Sequence, residues 1–231
     1  METVLITGAS RGIGLEFARQ YAGDGWRVLA CCRRPEAARE LSELSARHEG
    51  RIRVFQLDVT KSEQIREVAR TLKGKTIDLL INNAGIYGPR HDAFGSVDKE
   101  AWAEVMRVNA FAPLEVAEAL LDHVAQSRRR LMVTITSLMG SIADNASGGY
   151  YIYRSSKAAV NMVNKSMAVD LNSRGVTCAV LNPGWVKTDM GGAGADLSPR
   201  ESVAGMRRVI EGLSQEHSGR FFNYDGEELP W

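Results

Sequence analysis

Short apolar runs alternate with longer amphipathic stretches along the whole chain. Several of the short runs are continuously apolar rather than alternating, which is typical of strands that are covered on both faces. The predicted strands are Thr3–Thr7, Trp26–Cys32, Arg51–Leu57, Ile77–Asn82, Leu131–Ser137, Val176–Asn182 and Arg220–Tyr224. The predicted helices fill the gaps, at about Ile13–Gly23, Pro35–His48, Ser62–Lys73, Asp98–Ser127, Gly149–Ser173 and Ser198–Leu213.

This repetition of strand and helix predicts an α/β fold in which right-handed crossovers join parallel strands. We therefore expect a doubly wound sheet of about seven parallel strands with helices on both faces. No internal repeat, low-complexity tract or linker interrupts the pattern, so residues 1–231 are predicted to form a single domain.

Composition and charge disfavour nucleic acid, a metal ion and a membrane as partners. The 29 Lys and Arg residues nearly balance 28 Asp and Glu residues, which does not favour a nucleic-acid surface. Cys31, Cys32 and Cys178 lie in predicted strands without metal-ligand spacing, so neither a metal site nor a structural disulfide is expected. The chain enters a strand pattern at Thr3 without a leader and has no apolar stretch near ~18 residues. We expect a cytoplasmic protein with no membrane partner.

A glycine-rich loop, TGASRGIG at residues 7–14, joins the first predicted strand to the first helix. Glycines in this position permit a tight turn, close approach to a pyrophosphate and close packing of the helix on the sheet. The N-terminus of the helix then attracts the phosphates. The context favours a dinucleotide-binding loop, and a plain tight turn is the alternative.

The end of the second predicted strand indicates which dinucleotide is bound. An acidic residue there takes the ribose 2′-hydroxyl of NAD, whereas an arginine accommodates the 2′-phosphate of NADP. This strand ends in Cys32, Arg33 and Arg34, and Arg11 in the glycine-rich loop offers a second cation. The pattern favours NADP(H), with Arg33 as the main contact, and leaves NAD(H) as the alternative. Arg34 is interpreted as solvent-facing.

Tyr153 and Lys157 are four residues apart in a predicted helix and therefore share one face. A free tyrosine titrates near pH ~10, and a neighbouring cation favours its phenolate and lowers that pKa. The pair is interpreted as a proton donor or acceptor that works near neutral pH. The alternative is a tyrosine that merely lies beside a lysine.

Asn109 precedes Pro113 by four residues in a predicted helix. Proline has no N–H, so the main-chain carbonyl of Asn109 is released from the helical ladder and can bind another group. A purely structural kink is the alternative.

Seven motifs, in this order, resemble the short-chain dehydrogenase/reductase family, and the resemblance covers nearly the whole chain. The motifs are TGASRGIG, Asp58 in LDVT, NNAG at residues 82–85, Asn109, Ser137, Tyr153 with Lys157, and NPGWVKT at residues 182–188. The branch that contains C-factor-like and sniffer-type carbonyl reductases is the most similar. The resemblance implies a Rossmann-type sheet with strand order 3-2-1-4-5-6-7.

The resemblance also implies catalytic roles. Tyr153 would protonate a carbonyl oxygen as hydride arrives from the nicotinamide, and Ser137 would donate a hydrogen bond to the same oxygen. Lys157 would lower the pKa of Tyr153 and hold the ribose of the nicotinamide. The main-chain carbonyl of Asn109 would hold a water that links Lys157 to solvent.

Further residues are implied to bind the cofactor. The phosphate loop would supply Gly8, Ser10, Arg11, Gly12, Ile13 and Gly14. The adenosine side would be lined by Asp58, Val59, Asn83, Ala84 and Gly85. The nicotinamide would be oriented by Pro183, Gly184, Val186 and Thr188, together with Tyr153 and Lys157.

Two departures from the family pattern concern the substrate. Ser137 and Tyr153 are 16 positions apart, where many members have 13, and the extra residues fall at about 141–148. The substrate loop, at about 188–200, is short and glycine-rich. The short loop suggests an open pocket with broad substrate acceptance, and the mostly apolar residues expected to line that pocket favour a hydrophobic aldehyde or ketone. Its expected lining residues are Ile86, Tyr87, Ile142, Tyr150, Trp185 and Met190.

The sequence thus predicts an NADPH-dependent oxidoreductase that reduces an aldehyde or ketone and, in reverse, oxidises an alcohol. A dinucleotide-binding regulatory or signalling protein with little turnover is the alternative. A nucleotide-sugar epimerase or dehydratase is disfavoured because too little chain follows Thr188 for a further substrate domain. The resemblance also implies a homodimer or homotetramer that is built on the helix of Tyr153 and the long helix before it.

Overall fold

The computed structural model describes residues 1–48, 50–90 and 92–231. Within them, seven strands form one sheet in which every neighbouring pair is parallel. They are β1 (Thr3–Thr7), β2 (Arg27–Cys32), β3 (Ile52–Gln56), β4 (Leu79–Asn82), β5 (Leu131–Ile135), β6 (Thr177–Asn182) and β7 (Phe221–Asn223). Their spatial order is β3-β2-β1-β4-β5-β6-β7, which confirms the predicted count, direction and order.

Helices cover both faces of the sheet. The α-helices are α1 (Gly12–Gly23), α2 (Arg39–Arg47), α3 (Ser62–Thr71), α4 (Lys99–Met106), α5 (Ala112–Ala125), α6 (Tyr151–Asp170) and α7 (Pro199–Glu211). Val4 and Ile6 of β1 pack with α1, α2 and α7, while Leu5 packs with α3, α5 and α6. Successive strand residues point to opposite faces, so a continuously apolar strand contributes to two cores.

The prediction of a single long helix at Asp98–Ser127 is wrong. The chain leaves α4 through a π-helical segment at Arg107–Phe111 before it enters α5. Ala112 donates its N–H to the carbonyl five residues earlier, which is the π pattern. Pro113 has no N–H to donate to the carbonyl of Asn109, so the regular α-helical hydrogen bonding is also interrupted at this place.

Two other predicted helices are shorter than expected. The stretch Pro35–His48 begins with a 3₁₀ turn at Pro35–Ala37, and α2 follows it. The stretch Gly149–Ser173 becomes helical only at α6, because Gly149 and Tyr150 have left-handed backbone angles with φ of +64° and +51°. A left-handed residue cannot continue a right-handed helix.

Parallel strands leave their carboxyl ends at one edge of the sheet. The glycine-rich loop follows β1, Asn83 follows β4, Ser137 lies just beyond β5, and Pro183 follows β6. In open α/β sheets, ligands bind at this edge. The residues that sequence analysis singled out are therefore brought together by the order of the strands.

Candidate active site

The glycine-rich loop is packed too tightly for side chains. Gly8 and Gly12 have φ of +68° and +55°, a region that glycine adopts readily. A Cβ on Gly14 would lie 2.3 Å from the Gly8 carbonyl oxygen and 2.5 Å from Nδ2 of Asn83. Gly12 faces Thr188, which brings two predicted cofactor segments together.

The N-terminus of α1 fits a phosphate group. No side chain of the described residues caps this helix, and its first turn holds no acidic residue. Its first N–H groups therefore remain available, and the helix dipole favours an anion there. Arg11 forms an ion pair with Asp189 at 3.0 Å, but both side chains are exposed. Such a pair is worth only about 0–1 kcal/mol, so Arg11 is readily released to a phosphate.

Asn83 braces the two central strands. Its Nδ2 donates to the carbonyl oxygens of Thr7 at 2.9 Å and Gly8 at 3.2 Å. The Thr7 hydroxyl accepts hydrogen bonds from the N–H groups of Asn83 and Ala84, at 3.0 and 3.1 Å. This network fixes the end of β1 against the end of β4, and with them the start of the glycine-rich loop.

Arg33 and Asp58 lie at the ends of β2 and β3. Partial burial raises the pKa of Asp58, but hydrogen bonds from the N–H and hydroxyl of Thr60 and the charge of Arg33 lower it below its ordinary value. Asp58 is therefore ionised near neutral pH. Arg33 and Arg34 are both exposed. An arginine and a carboxylate thus lie at the carboxyl ends of β2 and β3, where sequence analysis predicted the adenosine end of a dinucleotide.

Tyr153 and Lys157 form a buried pair on α6, with exposed fractions of 8% and 6%. Nζ of Lys157 lies 5.7 Å from the centroid of the Tyr153 ring and donates a hydrogen bond to the carbonyl oxygen of Ile135 at 3.0 Å. Burial lowers the pKa of Lys157 to about 8. The two groups share one microenvironment, as their spacing predicts.

The pKa of Tyr153 is raised, which contradicts the expectation that the neighbouring cation lowers it. Burial is the dominant cause, and a hydrogen bond with the Ser137 hydroxyl only partly opposes it. Desolvation disfavours the charged form of any buried acid. The phenol is therefore neutral near pH 7 and holds the proton that a general acid must donate.

An aromatic wall stands beside Tyr153. The ring of Tyr87 stacks on it with centroids 4.4 Å apart, and Tyr150 meets Tyr87 edge-on at 6.3 Å. The guanidinium of Arg90 lies 5.6 Å from the Tyr87 ring and donates to the main-chain oxygens of Asp189 and Met190. The wall therefore extends from α6 to the loop that follows β6.

The side chain of Asn109 clamps the segment after β4. Its Oδ1 accepts from the N–H of Ile86 at 2.9 Å, and its Nδ2 donates to the Ile86 carbonyl oxygen at 2.8 Å. Nδ2 also donates to the hydroxyl of Ser156 at 3.0 Å, which in turn donates to the main-chain oxygen of Tyr153. Sequence analysis considered only the main chain of Asn109 and missed this network.

Asp92 is a second residue that sequence analysis missed. Its Oδ2 accepts a hydrogen bond from the N–H of Ile152 at 2.6 Å, and Asp92 is only 7% exposed. It thereby caps α6 from a distant segment, where Tyr150 supplies no side-chain cap. No local sequence signal identifies a cap that lies 60 residues away.

The predicted pocket residues lie in three environments. Tyr87 and Tyr150 form the aromatic wall, and Met190 is held beside it through Arg90. Ile142 and Trp185 are exposed, at 78% and 55%. Ile86 instead packs against the core on the α3 and α5 face.

The loop at about 188–200, which is predicted to border the substrate, is closed at its base. Lys187 donates its N–H to the Leu197 carbonyl oxygen at 2.8 Å, and Leu197 donates to that of Trp185 at 3.0 Å. The end of the predicted 188–200 loop belongs to α7, because Ser198 and Glu201 form a capping box around the first turn. The loop proper therefore spans residues 188–196.

Known proteins share both the sequence pattern and the fold of this chain. A model of the short chain dehydrogenase family matches residues 2–196. C-signal of Myxococcus xanthus is 50% identical over 155 residues, which are 67% of this chain and 93% of that protein. The structure of the carbonyl reductase Sniffer of D. melanogaster is 31% identical, with a TM-score of 0.94 over 100% of both chains. The NADPH-bound carbonyl reductase from chicken fatty liver is 35% identical, with a TM-score of 0.92 over 100% of this chain and 99% of that chain.

Proposed function

The chain belongs to the short chain dehydrogenase family, and we propose that it is an NADPH-dependent reductase of aldehydes or ketones. The same enzyme would oxidise the corresponding alcohol in reverse. The observation that carries this proposal is the buried Tyr153, which has Ser137 and Lys157 beside it at the carboxyl edge of the sheet and whose raised pKa keeps its proton in place. The carbonyl reductases among the structural neighbours support the same reaction class.

In this mechanism, Tyr153 donates its phenolic proton to the carbonyl oxygen of the substrate. Ser137 donates a second hydrogen bond to that oxygen, which stabilises the negative charge that develops on it. NADPH, when bound, would supply the hydride that reduces the carbonyl carbon. Because the phenol is neutral at the start, proton donation leaves a phenolate, which the ammonium of Lys157 stabilises.

Tyr153 must then recover a proton. Lys157, with a pKa of about 8, is charged at pH 7 and lies 5.7 Å from the centroid of the Tyr153 ring. The main-chain carbonyl of Asn109, which receives no i+4 hydrogen bond because Pro113 has no N–H, would hold the water that connects Lys157 to solvent. The side-chain clamp of Asn109 keeps this part of the chain in place.

The proposed reaction is tested by following NADPH oxidation with a panel of aliphatic and aromatic aldehydes and ketones. We expect turnover, and we expect apolar carbonyl compounds to be used better than polar sugars, since an aromatic wall borders Tyr153. Clear preference for sugars would contradict the proposed pocket. A complete lack of turnover with NADPH bound would contradict the enzyme proposal.

A signalling role with little turnover is the second candidate, and the 50% identical relative named C-signal favours it. That relative aligns with 67% of this chain, whereas the Sniffer carbonyl reductase aligns with all of it. The site also keeps Ser137, Tyr153 and Lys157 together. These observations favour the enzyme, and the substrate panel separates the two candidates.

NADPH is the proposed cofactor, with NADH as the alternative, and Arg33→Ala is the variant that tests the choice. Loss of a charge-assisted hydrogen bond to the 2′-phosphate costs ~1.5–3 kcal/mol, so the Kd for NADPH should rise about tenfold to a hundredfold. The Kd for NADH should change little, because NADH has no such phosphate. Fluorescence titration measures both constants. Arg34→Ala is the matched control, and equal losses for both dinucleotides would refute the assignment.

We also propose that the protein is a homodimer or homotetramer that associates through α4 and α6. Trp102, Phe111, Met162 and Val169 are exposed apolar side chains on this part of the surface. Met162→Arg should therefore shift the protein toward monomer in sedimentation experiments, whereas Ile142→Arg, at another highly exposed apolar residue, should not. An unchanged mass for Met162→Arg would contradict this interface.

Residues 1–231 are proposed to act as one cytoplasmic domain. The seven strands of the described residues share one sheet. The three cysteines are free and buried, which suits a reducing compartment. No helix within the described ranges is long and apolar enough to cross a membrane.

A further inference from the structure

Residues 221–231 form a hairpin at the edge of the sheet. Residues 227–229 pair antiparallel with β7. Asn223 donates its N–H to the Glu227 carbonyl oxygen at 2.8 Å, and Leu229 donates to that of Phe221 at 2.8 Å. An ion pair between Arg220 and Glu228 spans the two arms at 3.1 Å. We call this unit the 221–231 hairpin.

The hairpin is connected to the residue after Ser137 by two side-chain amides. Nδ2 of Asn182 donates to Oδ1 of Asn223 at 2.8 Å, and Oδ1 of Asn182 accepts from the N–H of Leu138 at 3.0 Å. A backbone N–H can only donate, so the amide of Asn182 must turn its oxygen to Leu138 and its NH₂ to Asn223. Asn182 is only 7% exposed, and water therefore competes poorly for these bonds.

A second connection reaches the same loop further along. Ala143 donates its N–H to the main-chain oxygen of Trp231 at 2.9 Å. The indole of Trp231 stacks on Phe221, with centroids 5.6 Å apart, and Phe221 is almost fully buried. The stacking fixes the position of the oxygen that holds Ala143. The hairpin thus holds the loop after Ser137 at Leu138 and at Ala143.

The hydroxyl of Ser137 depends on this loop. Its Oγ accepts a hydrogen bond from the N–H of Met139 at 3.2 Å. This bond occupies an acceptor position of the hydroxyl and leaves its hydrogen free to donate. Leu138, held by Asn182, lies between Ser137 and Met139 in the chain. A shift at Leu138 would therefore move the donor that orients the Ser137 hydroxyl.

We propose that the 221–231 hairpin positions Ser137 for the proposed carbonyl reduction, with Asn223 and Trp231 as positioning residues. This inference rests on the proposed function, since it concerns the hydroxyl that stabilises the developing charge. Asn223 acts through Asn182 on Leu138, and Trp231 acts on Ala143. Misplacement of a catalytic group by ~1 Å can cost about a hundredfold in rate.

The kinetic test uses pairs of variants at each connection. Asn223→Leu should lower kcat about tenfold to a hundredfold with little change in NADPH affinity, whereas Asn223→Asp keeps an acceptor oxygen and should retain most activity. Trp231→Ala should lower kcat by a similar factor. Trp231→Phe keeps an aromatic stack and should retain most of the wild-type kcat. Equal losses in the conservative and disruptive members of both pairs would overturn the proposal.

A double-mutant cycle tests whether the hairpin acts through Ser137. In a Ser137→Ala background, the further change Asn223→Leu should cost far less activity than it costs in the wild type, because the positioned group is already absent. Fully additive losses would mean that Asn223 acts elsewhere and would refute its positioning role.

Amide hydrogen exchange provides a readout that does not require turnover. The peptide that contains Leu138 and Ala143 should exchange faster in Asn223→Leu and Trp231→Ala than in the wild type, while the β5 peptide should be unchanged. If the wild type shows no carbonyl turnover, the proposed function fails, and this exchange experiment still tests the hairpin. Unchanged exchange at both amides would overturn the inference whatever the activity.

Discussion

Replacing Tyr153 by phenylalanine is expected to lower kcat for carbonyl reduction by about 10²–10⁴-fold, the usual contribution of a general acid. The variant removes one hydroxyl and keeps the ring, so the stacking on Tyr87 is retained. The fold and the dinucleotide site should therefore survive. Initial rates of NADPH oxidation measure the loss, and fluorescence titration should show that the Kd for NADPH rises only modestly.

Tyr150→Phe and Tyr151→Phe are the matched controls for this prediction. Both tyrosines precede Tyr153 closely in the chain, yet they are exposed, at 43% and 38%, and lie outside its buried pair with Lys157. Each should retain activity within a few-fold of the wild type. If Tyr153→Phe falls in the same narrow range as these controls, the general acid is not Tyr153.

Lys157→Met is expected to abolish most turnover and, at pH 7, to stabilise the fold. Burial lowers the pKa of Lys157 from 10.5 to about 8, so the folded state binds a proton less tightly than the unfolded state does. At 1.36 kcal/mol for each pKa unit, keeping this lysine charged costs the fold about 3 kcal/mol below pH 8. Loss of the hydrogen bond to Ile135 offsets part of the gain.

The pH dependence of the free energy of unfolding tests this second prediction most directly. Between pH 8 and about 10.5 the wild type should gain stability, because its folded lysine is already neutral while its unfolded lysine is still charged. The advantage of Lys157→Met in urea unfolding should therefore shrink over that window. Lys165→Met, at an exposed lysine on α6, should show no such trend. A variant less stable than wild type at pH 7 would refute the prediction.

Much of the fold follows from local pattern. The short apolar runs predicted every strand, and because the carboxyl ends of parallel strands meet, the predicted sheet places the motifs after β1, β4, β5 and β6 at one edge. The glycine spacing predicted the first turn, where Gly14 leaves no room for a Cβ. The pattern did not reveal the break between α4 and α5, since Pro113 is compatible with either a kink or a first turn.

The electrostatics of the site could not be obtained from spacing alone. The four-residue interval places Lys157 near Tyr153, but the direction of the tyrosine pKa depends on how deeply α6 is buried. That burial is a property of the assembled fold. The same holds for the stacking of Tyr87 on Tyr153 and for the ion pair between Arg11 and Asp189, which are 178 residues apart. Contacts between residues far apart in the chain do not follow the periodic spacing by which a sequence indicates helices and strands.

The π-helical segment at Arg107–Phe111 sets the two halves of one helical rod out of phase. Each residue of an α-helix advances ~100° around its axis, so one extra residue within a turn rotates everything downstream by about that angle. Trp102 before the segment can therefore face α6, where its Nε1 donates to the Ser155 hydroxyl at 2.8 Å. Leu120 after it can still face the sheet core. This change in helical register lets the two halves of the rod pack against different surfaces. Asn109 lies within the π-helical segment where the register changes.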